Sequence, residues 1–287
     1  MRHHPGASTQ RHPPGLRYRW RRLPSLYIGA ALVGGVVIAS ALAPVFIGYG
    51  ATERVGELLA SPSLAHPFGT DVNSMDVMAR TFHAGRYDLG VATAGALLAM
   101  AIGVAVGATA GYAGGIIDEI ITRVVEGIQA FPPLVLALGL VAAVGGSTPV
   151  LIGVIAVVQS VYYVRVMRAQ VLSIRERDYV RAARAIGLPR WQIITWHVVP
   201  NGIGPIIVQM SLNIGVAILL ISALSFIGLG APPPTPEWGA MIASGLKVTV
   251  TGEWWVWAFP GAMLFATVVA FNILGDGLRD VLDPTTR

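Results

Sequence analysis

The chain contains no cysteine, only one lysine, and few charged residues of either sign. Of its 287 residues, 12% are charged and 54% are hydrophobic, whereas soluble proteins carry about 25% charged residues. The absence of cysteine excludes a disulfide framework and a thiolate metal site. The shortage of charge excludes an ordinary soluble globular domain and predicts an all-α, polytopic membrane protein.

Motifs for nucleotide hydrolysis and metal catalysis are also missing. There is no Gly-x-x-x-x-Gly-Lys-Ser/Thr sequence, and the single lysine, Lys247, stands outside any phosphate-binding loop. There is no His-Glu-x-x-His pattern, and the six histidines are isolated or lie in the N-terminal tail. We therefore expect neither a P-loop ATPase nor a metalloenzyme, and no metal ligands or catalytic residues in this chain.

Long uncharged runs predict six membrane spans. Residues 26–47 form the first run, which is long enough to cross a hydrocarbon core of about 30 Å. A cleaved signal peptide is the alternative interpretation of that run, but its apolar part exceeds the usual signal length. Residues 127–164 hold no charge over 38 positions, too long for one crossing, so Gly145 to Pro149 should split them into a hairpin. The other five spans are predicted at 89–113, 127–144 with a kink at Pro132-Pro133, 150 to about 165, 202–229 with a break at Pro205, and 255–274.

The segments between these spans are predicted to be extramembrane. Residues 1–24 are rich in arginine and proline and should form a disordered basic tail, leaving 25–287 as the membrane domain. Residues 49–88 and 231–253 read as loops, with Trp238 and Trp254 suited to a membrane interface. Residues 114–119 read as a short turn, and charged residues after 274 as a tail. Glu126 is then the one acidic group at the mouth of a span, which disfavours proton-coupled transport.

The positive charges are unequally divided between the two predicted sides. Of the 20 arginine and lysine residues, sixteen fall on the side of the termini and four on the other: Arg54, Arg80, Arg86 and Lys247. Because positive residues accumulate in cytoplasmic loops, both termini and the loop at 165–200 are predicted to be cytoplasmic.

Neutral polar residues inside the spans have two interpretations. Gln129, Gln159, Gln209, Asn213 and Asn272 can form hydrogen bonds between helices, or some of them can line a solute path. Gln209, Asn213 and Asn272 are the candidates for a translocation path.

A charged, amphipathic stretch at about 172–200 lies between two spans. Small and apolar residues recur at helical spacing, namely Tyr179, Val180, Ala182, Ala183 and Ile186. Gly187-Leu188-Pro189 should end this helix and lead into a second one over 190–199. A small, apolar face outside the membrane permits close docking into a groove of another protein.

The stretch resembles the EAA loop of the permease subunits of ATP-binding-cassette (ABC) importers. Arg181-Ala182-Ala183, then Gly187, and Val199-Pro200 correspond to that pattern, with Arg181 in place of the usual glutamate. Residues 64–286 are similar to the smaller permease class of dipeptide, oligopeptide and nickel importers. The similar motifs are His66 to Asp71, Ala110 to Gly115, Ala130-Phe131-Pro132, Leu224 to Gly230, Pro236 to Gly239, and Asn272 with Gly275 to Asp280 and Leu282 to Pro284. Departures are Ser74-Met75 and Ile221, where the family often has Gly-Arg and an acidic residue.

The resemblance implies the six-span type I ABC importer permease fold, with cytoplasmic coupling helices. It implies half of a translocation channel in the inner or plasma membrane, paired with a second homologous permease. Two ATPase subunits would bind ATP and Mg²⁺, and an extracytoplasmic solute-binding protein would deliver di- or oligopeptides. The expected ATPase-coupling residues are Tyr179, Arg181, Ala182, Ala183, Ile186 and Gly187. Import of nickel or another peptide-like solute stays open as an alternative, as does a stand-alone secondary transporter or channel.

Overall fold

The computed structural model describes residues 23–282, so most of the predicted basic tail and the last five residues lie outside the described part. Nine helices make up the described chain: α1 (Leu23–Phe46), α2 (Val77–Ala113), α3 (Gly115–Gln129), α4 (Pro133–Val144), α5 (Thr148–Ile174), α6 (Asp178–Ala185), α7 (Arg190–Phe226), α8 (Trp238–Leu246) and α9 (Trp255–Leu282). A single 3₁₀ turn, Thr249–Thr251, separates α8 from α9.

Six membrane crossings are supported by the lengths and compositions of these helices. Five helices are each long and apolar enough to cross a membrane: α1, α2, α5, α7 and α9. Helices α3 and α4, joined at a bend of 89°, are long and apolar enough to cross it together. The bend falls at Pro132-Pro133, where the prediction placed a kink, because proline cannot donate the next helical hydrogen bond. The predicted all-α, six-span architecture is therefore confirmed.

Two predicted boundaries around α2 and α3 are wrong. α2 begins at Val77 rather than at 89, because the Asp76 side chain caps the helix by accepting a hydrogen bond from the Ala79 N–H at 2.7 Å. Its 37 residues span about 55 Å, more than a bilayer core requires. The predicted turn at 114–119 is confined to Gly114 (φ +66°), after which the chain enters α3 directly.

The predicted second coupling helix and the fifth span form one continuous helix, α7. Pro205 lies inside it without breaking it, contrary to the prediction. The helix also accommodates Pro200: a π-helical turn over Ile193–Val198 shifts the bonding pattern, with the Val199 N–H donating to the Ile194 carbonyl. Such a turn absorbs a missing donor without ending a helix.

The segment 231–253 is not a simple loop. It contains α8, whose first residue, Trp238, is fully buried and donates from Nε1 to the carbonyl of Thr81 at 2.8 Å. The predicted interfacial position of Trp238 is thus wrong, whereas Trp254 is half exposed. α9 continues to Leu282, so Asp276, Arg279 and Asp280 are helical rather than part of a tail.

Close helix contacts organise the core. α2 and α5 pack along much of their length because glycines on α2 leave room for the partner backbone; a Cβ on Gly107 would lie 2.5 Å from the Val164 carbonyl oxygen. One apolar cluster surrounds Trp238 and joins α2, α5, α7 and α8. A second cluster, built on Tyr163 and Met167, reaches from α2 and α5 to α6 and the start of α7.

Candidate functional site

Helix α6 is a short amphipathic element held between two membrane-length helices. Three residues, Arg175 to Arg177, separate it from the end of α5, and four residues, Ile186 to Pro189, connect it to α7. Val180 and Ala183 point inward, with 0% and 6% of their surfaces exposed, and belong to the same cluster as Ile174, Ile193 and Val198. Packing on both α5 and α7 fixes the position of α6 relative to the membrane helices.

The C-terminus of α6 is closed by a Schellman motif. The Leu188 N–H donates to the Ala183 carbonyl at 3.2 Å, and the Gly187 N–H donates to the Arg184 carbonyl at 3.1 Å. Gly187 has φ +82°, a left-handed conformation that glycine adopts without steric cost. The predicted stop at Gly187 is confirmed, and it sets the angle at which α6 meets α7.

The predicted coupling residues divide between two faces of α6. Tyr179, Arg181, Ala182, Ile186 and Gly187 are exposed, and Ile186 retains 78% of its surface. Ala183 is buried in the cluster beneath α6, so its side chain is not at the exposed surface of the helix. We call the exposed apolar set of Tyr179, Ala182 and Ile186 the α6 outer face. Arg181 forms no ion pair within residues 23–282.

Two of the three candidate path residues lie together, at the α5–α7 contact. Gln209 donates from Nε2 to Oδ1 of Asn213 at 2.8 Å, and Gln159 on α5 donates from Nε2 to the Asn213 carbonyl at 2.9 Å. Asn213 is 4% exposed. Asn272 is exposed on α9 and donates to the Val268 carbonyl of its own helix. In this arrangement Gln159 and Asn213 act as a hydrogen-bonded link between helices.

A polar group at the opposite end of the bundle was missed by the sequence interpretation. Asp88, predicted to lie in a loop, is fully buried on α2, and its Oδ2 accepts a hydrogen bond from the Trp238 N–H at 3.1 Å. The Glu237 carboxylate beside it caps α8, accepting from the N–H groups of Gly239 (2.9 Å) and Ala240 (2.7 Å). Burial raises the pKa of Glu237, and the two backbone donors partly oppose that rise.

Asp88 also corrects the expectation that Glu126 is the one acidic group associated with a span, because it lies within α2. The charged residues at 80–88 make this stretch resemble a loop, although it is helical. The sequence signal for the buried polar group was the Pro236-Glu237-Trp238-Gly239 motif. Its glutamate precedes residues that start a helix, which is the position of a helix cap.

A compact loop before α2 carries the His66 to Asp71 motif. His66 Nδ1 lies 2.9 Å from Oδ2 of Asp76, the residue that caps α2. The Thr70 carbonyl accepts from Nε1 of Trp255 at 3.2 Å. The loop is thereby attached to the first turns of both α2 and α9.

The structure combines a multi-pass helical bundle with a short amphipathic helix that lies between two membrane-length helices. This is the arrangement of a transporter's membrane subunit. Residues 103–287 match the family described as the binding-protein-dependent transport system inner membrane component. This chain belongs to that family: it is an inner-membrane permease subunit of an ABC importer, and is not itself an ATPase. Members work with a solute-binding protein and with separate ATPase subunits.

Curated relatives match most of the chain. It is 43% identical over 226 residues to the probable D,D-dipeptide transport system permease protein DdpC of Escherichia coli (strain K12), covering 79% of this chain and 76% of the relative. It is 38% identical over 284 residues to the dipeptide transport system permease protein DppC of Bacillus subtilis (strain 168), covering 96% and 88%. It is 35% identical over 235 residues to the glutathione transport system permease protein GsiD of Pectobacterium atrosepticum, covering 82% and 77%.

Proposed function

We propose that this chain forms half of a peptide translocation channel and receives the force of ATP-driven closure through the α6 outer face. The main support for this proposal is the division of α6 into two sides. One side is buried by α5 and α7, and the other leaves an apolar face outside the spans, including Ile186, which is 78% exposed. A rigidly attached helix transmits a displacement to the spans because it cannot move independently of them.

The proposal includes an orientation in the membrane. The side bearing α6 is cytoplasmic, as are both termini, in agreement with the unequal distribution of arginine. Residues 25–287 act as one permease domain preceded by the basic tail. The channel is completed by a second, homologous permease subunit in a heterodimer.

Peptides are the proposed solute. Two of the relatives are named for dipeptide or D,D-dipeptide transport and a third for glutathione transport, and all three solutes contain peptide bonds. The Gln209–Asn213 pair offers amide groups of the kind that hydrogen-bond a peptide backbone, although Asn213 is reached only where α5 and α7 separate. Solute contact at these residues is part of the proposal.

The coupling role is tested in proteoliposomes that contain the whole importer. We expect Ile186→Asp to abolish the stimulation of ATP hydrolysis by peptide-loaded binding protein while the subunits still assemble. The control is Ser173→Asp, which adds the same charge at an exposed position near the end of α5. Wild-type stimulation in Ile186→Asp, or equal loss in both variants, would contradict the role of the α6 outer face.

A further inference from the structure

Three arginines from three different segments converge on one open cavity beside α6. Arg175 follows the last residue of α5, Arg184 lies on α6, and Arg190 is the first residue of α7. The cavity has a volume of about 510 Å³ and is completed by Tyr112 at the end of α2, with Leu188 among its apolar lining residues.

Two of these arginines retain unused hydrogen-bonding capacity. Arg175 is engaged: its Nη1 donates to the Gly111 carbonyl at 2.8 Å and its Nε to Oε1 of Glu176 at 3.2 Å. Within the described chain, Arg184 and Arg190 form neither an ion pair nor a side-chain hydrogen bond. Glu176, the acidic residue of the lining, already pairs with Arg175. The cavity therefore has an excess of two positive charges whose donors are free.

The Arg184 guanidinium is also held in place by an aromatic ring. Its Cζ lies 5.7 Å from the centre of the Tyr112 ring, a cation–π distance. This contact occupies none of the N–H groups of Arg184, which form no hydrogen bond within residues 23–282. A planar guanidinium with a free edge matches the oxygen atoms of a phosphate.

The position of the cavity along the bundle corresponds to a membrane surface. Tyr112 belongs to the last turn of the apolar helix α2, and the Arg175–Gly111 bond fixes the cavity at that level. On the adjoining first turns of α7, Trp191 and Trp196 are 60% and 64% exposed, with their rings 6.3 Å apart. Exposed tryptophans of this kind mark the headgroup region of a bilayer.

We propose that this cavity binds a phosphate group, supplied by the headgroup of an anionic membrane phospholipid. Basic pockets between helix ends at a membrane surface suit such headgroups, because charge attraction adds to the anchoring of the acyl chains. Leu188 and Tyr112 provide the apolar surface that the glycerol region requires. A free inorganic phosphate has the same charge chemistry but lacks the chains that would hold it at this depth.

The test is a lipid titration of the full chain, purified in mild detergent and followed by native mass spectrometry. Phosphatidylglycerol is compared with phosphatidylcholine. We expect Arg184→Gln/Arg190→Gln to weaken phosphatidylglycerol binding roughly 10- to 30-fold, the loss expected from two basic contacts with an anionic headgroup. Arg190→Lys, which keeps the charge and loses the planar fork, should give a smaller loss.

The matched control is Arg123→Gln/Arg177→Gln, which removes two arginines that are exposed and do not line the cavity. Retained binding in this control supports a defined site, whereas an equal loss would overturn it in favour of net charge alone. Equal binding of phosphatidylcholine would also overturn the proposal. Inorganic phosphate that displaces phosphatidylglycerol at comparable concentration would overturn the assignment of the source to a lipid.

Discussion

The backbone N–H of Trp238 donates a 3.1 Å hydrogen bond to Oδ2 of Asp88, joining residues that lie 150 positions apart in the chain. The bond connects the start of α8 to the N-terminal half of α2. Both partners are fully buried. Glu237, also fully buried, directly precedes Trp238 in the chain and therefore lies next to the same aspartate. Two carboxyl groups buried next to each other favour a state in which one of them keeps a proton, because two adjacent buried negative charges repel.

This contact predicts how stability depends on pH. Burial raises the pKa of Glu237 above its value in the unfolded chain, so the folded protein retains a proton that the unfolded chain releases. The free energy of unfolding should therefore fall as pH rises through the interval between the two pKa values. Glu237→Gln cannot release a proton, so its thermal unfolding temperature should change less with pH over that interval.

Asp88→Asn tests the repulsion from the other partner. Its side-chain oxygen can still accept from the Trp238 N–H, while the negative charge next to Glu237 is removed. At alkaline pH we expect a gain of roughly 1 kcal/mol, since one pKa unit corresponds to about 1.4 kcal/mol, and at acidic pH the gain should vanish. Asp276→Asn, at an exposed position, is the control. A lower unfolding temperature for Asp88→Asn at alkaline pH would contradict the carboxyl-pair interpretation.

Glycines on α2 predict opposite effects of one substitution at two positions. A Cβ at Gly107 would come within 2.5 Å of the Val164 carbonyl oxygen on α5, whereas Gly90 has open space around it. Gly107→Ala should lower stability by about 1–3 kcal/mol through overpacking, and Gly90→Ala should raise it by about 0.5–1 kcal/mol through helix propensity. Thermal unfolding in detergent measures both, and equal effects would show that the α2–α5 contact is looser than described.

Gly187 predicts a backbone effect on coupling. A side chain at this residue meets no neighbour within 4 Å, so its φ of +82° is the constraint. Gly187→Val and Gly187→Ala should cost about 1–2 kcal/mol in this conformation and should reduce binding-protein-stimulated ATP hydrolysis by the assembled importer. Gly187→Asn should retain more of that activity, because asparagine tolerates the left-handed region. Identical activity of the alanine and asparagine variants would argue against a role for the backbone angle.

Neighbouring alanines on α6 separate support from contact. Ala183 is 6% exposed within the cluster under α6, whereas Ala182 faces outward. Ala183→Asp should lower stability by at least about 2 kcal/mol by burying a polar group without a partner, which size-exclusion chromatography and thermal unfolding would reveal. Ala182→Asp should leave the unfolding temperature near that of the wild type and reduce stimulated ATP hydrolysis. A stable Ala183→Asp variant would contradict the inward placement.

The periodicity of α6 showed that small residues recur along it, but not which of them face outward. Tyr179 and Ala182 share the pattern with Val180 and Ala183, and all are small or apolar. Only the packing of α6 against Ile174 and Ile193 turns Val180 and Ala183 inward. Gly187 was different, because a glycine followed by a proline two residues later ends a helix for local reasons, whatever packs around it.

Charged residues at the start of α2 led to the wrong interpretation of this segment. Arg80, Arg86 and Asp88 made residues 77–88 resemble a loop, yet they lie on α2. Asp76 supplies the cap that starts this helix, and the Arg80 Nη1 donates to the Ala51 carbonyl of the preceding loop at 2.9 Å. Hydropathy alone could not reveal these partners, because it does not describe which groups form hydrogen bonds in the folded chain.

The sequence by itself determined the number of spans, the breaks at Pro132-Pro133 and Gly145, and the amphipathic helix that ends at Gly187. Each of these follows from the hydropathy or backbone chemistry of consecutive residues. Tertiary structure alone decided that Trp238 is a core residue, that Asp88 and Glu237 meet, and that Arg175, Arg184 and Arg190 surround one cavity. Those relationships arise from the packing of helices far apart in the chain, where burial and proximity change what a polar side chain can do.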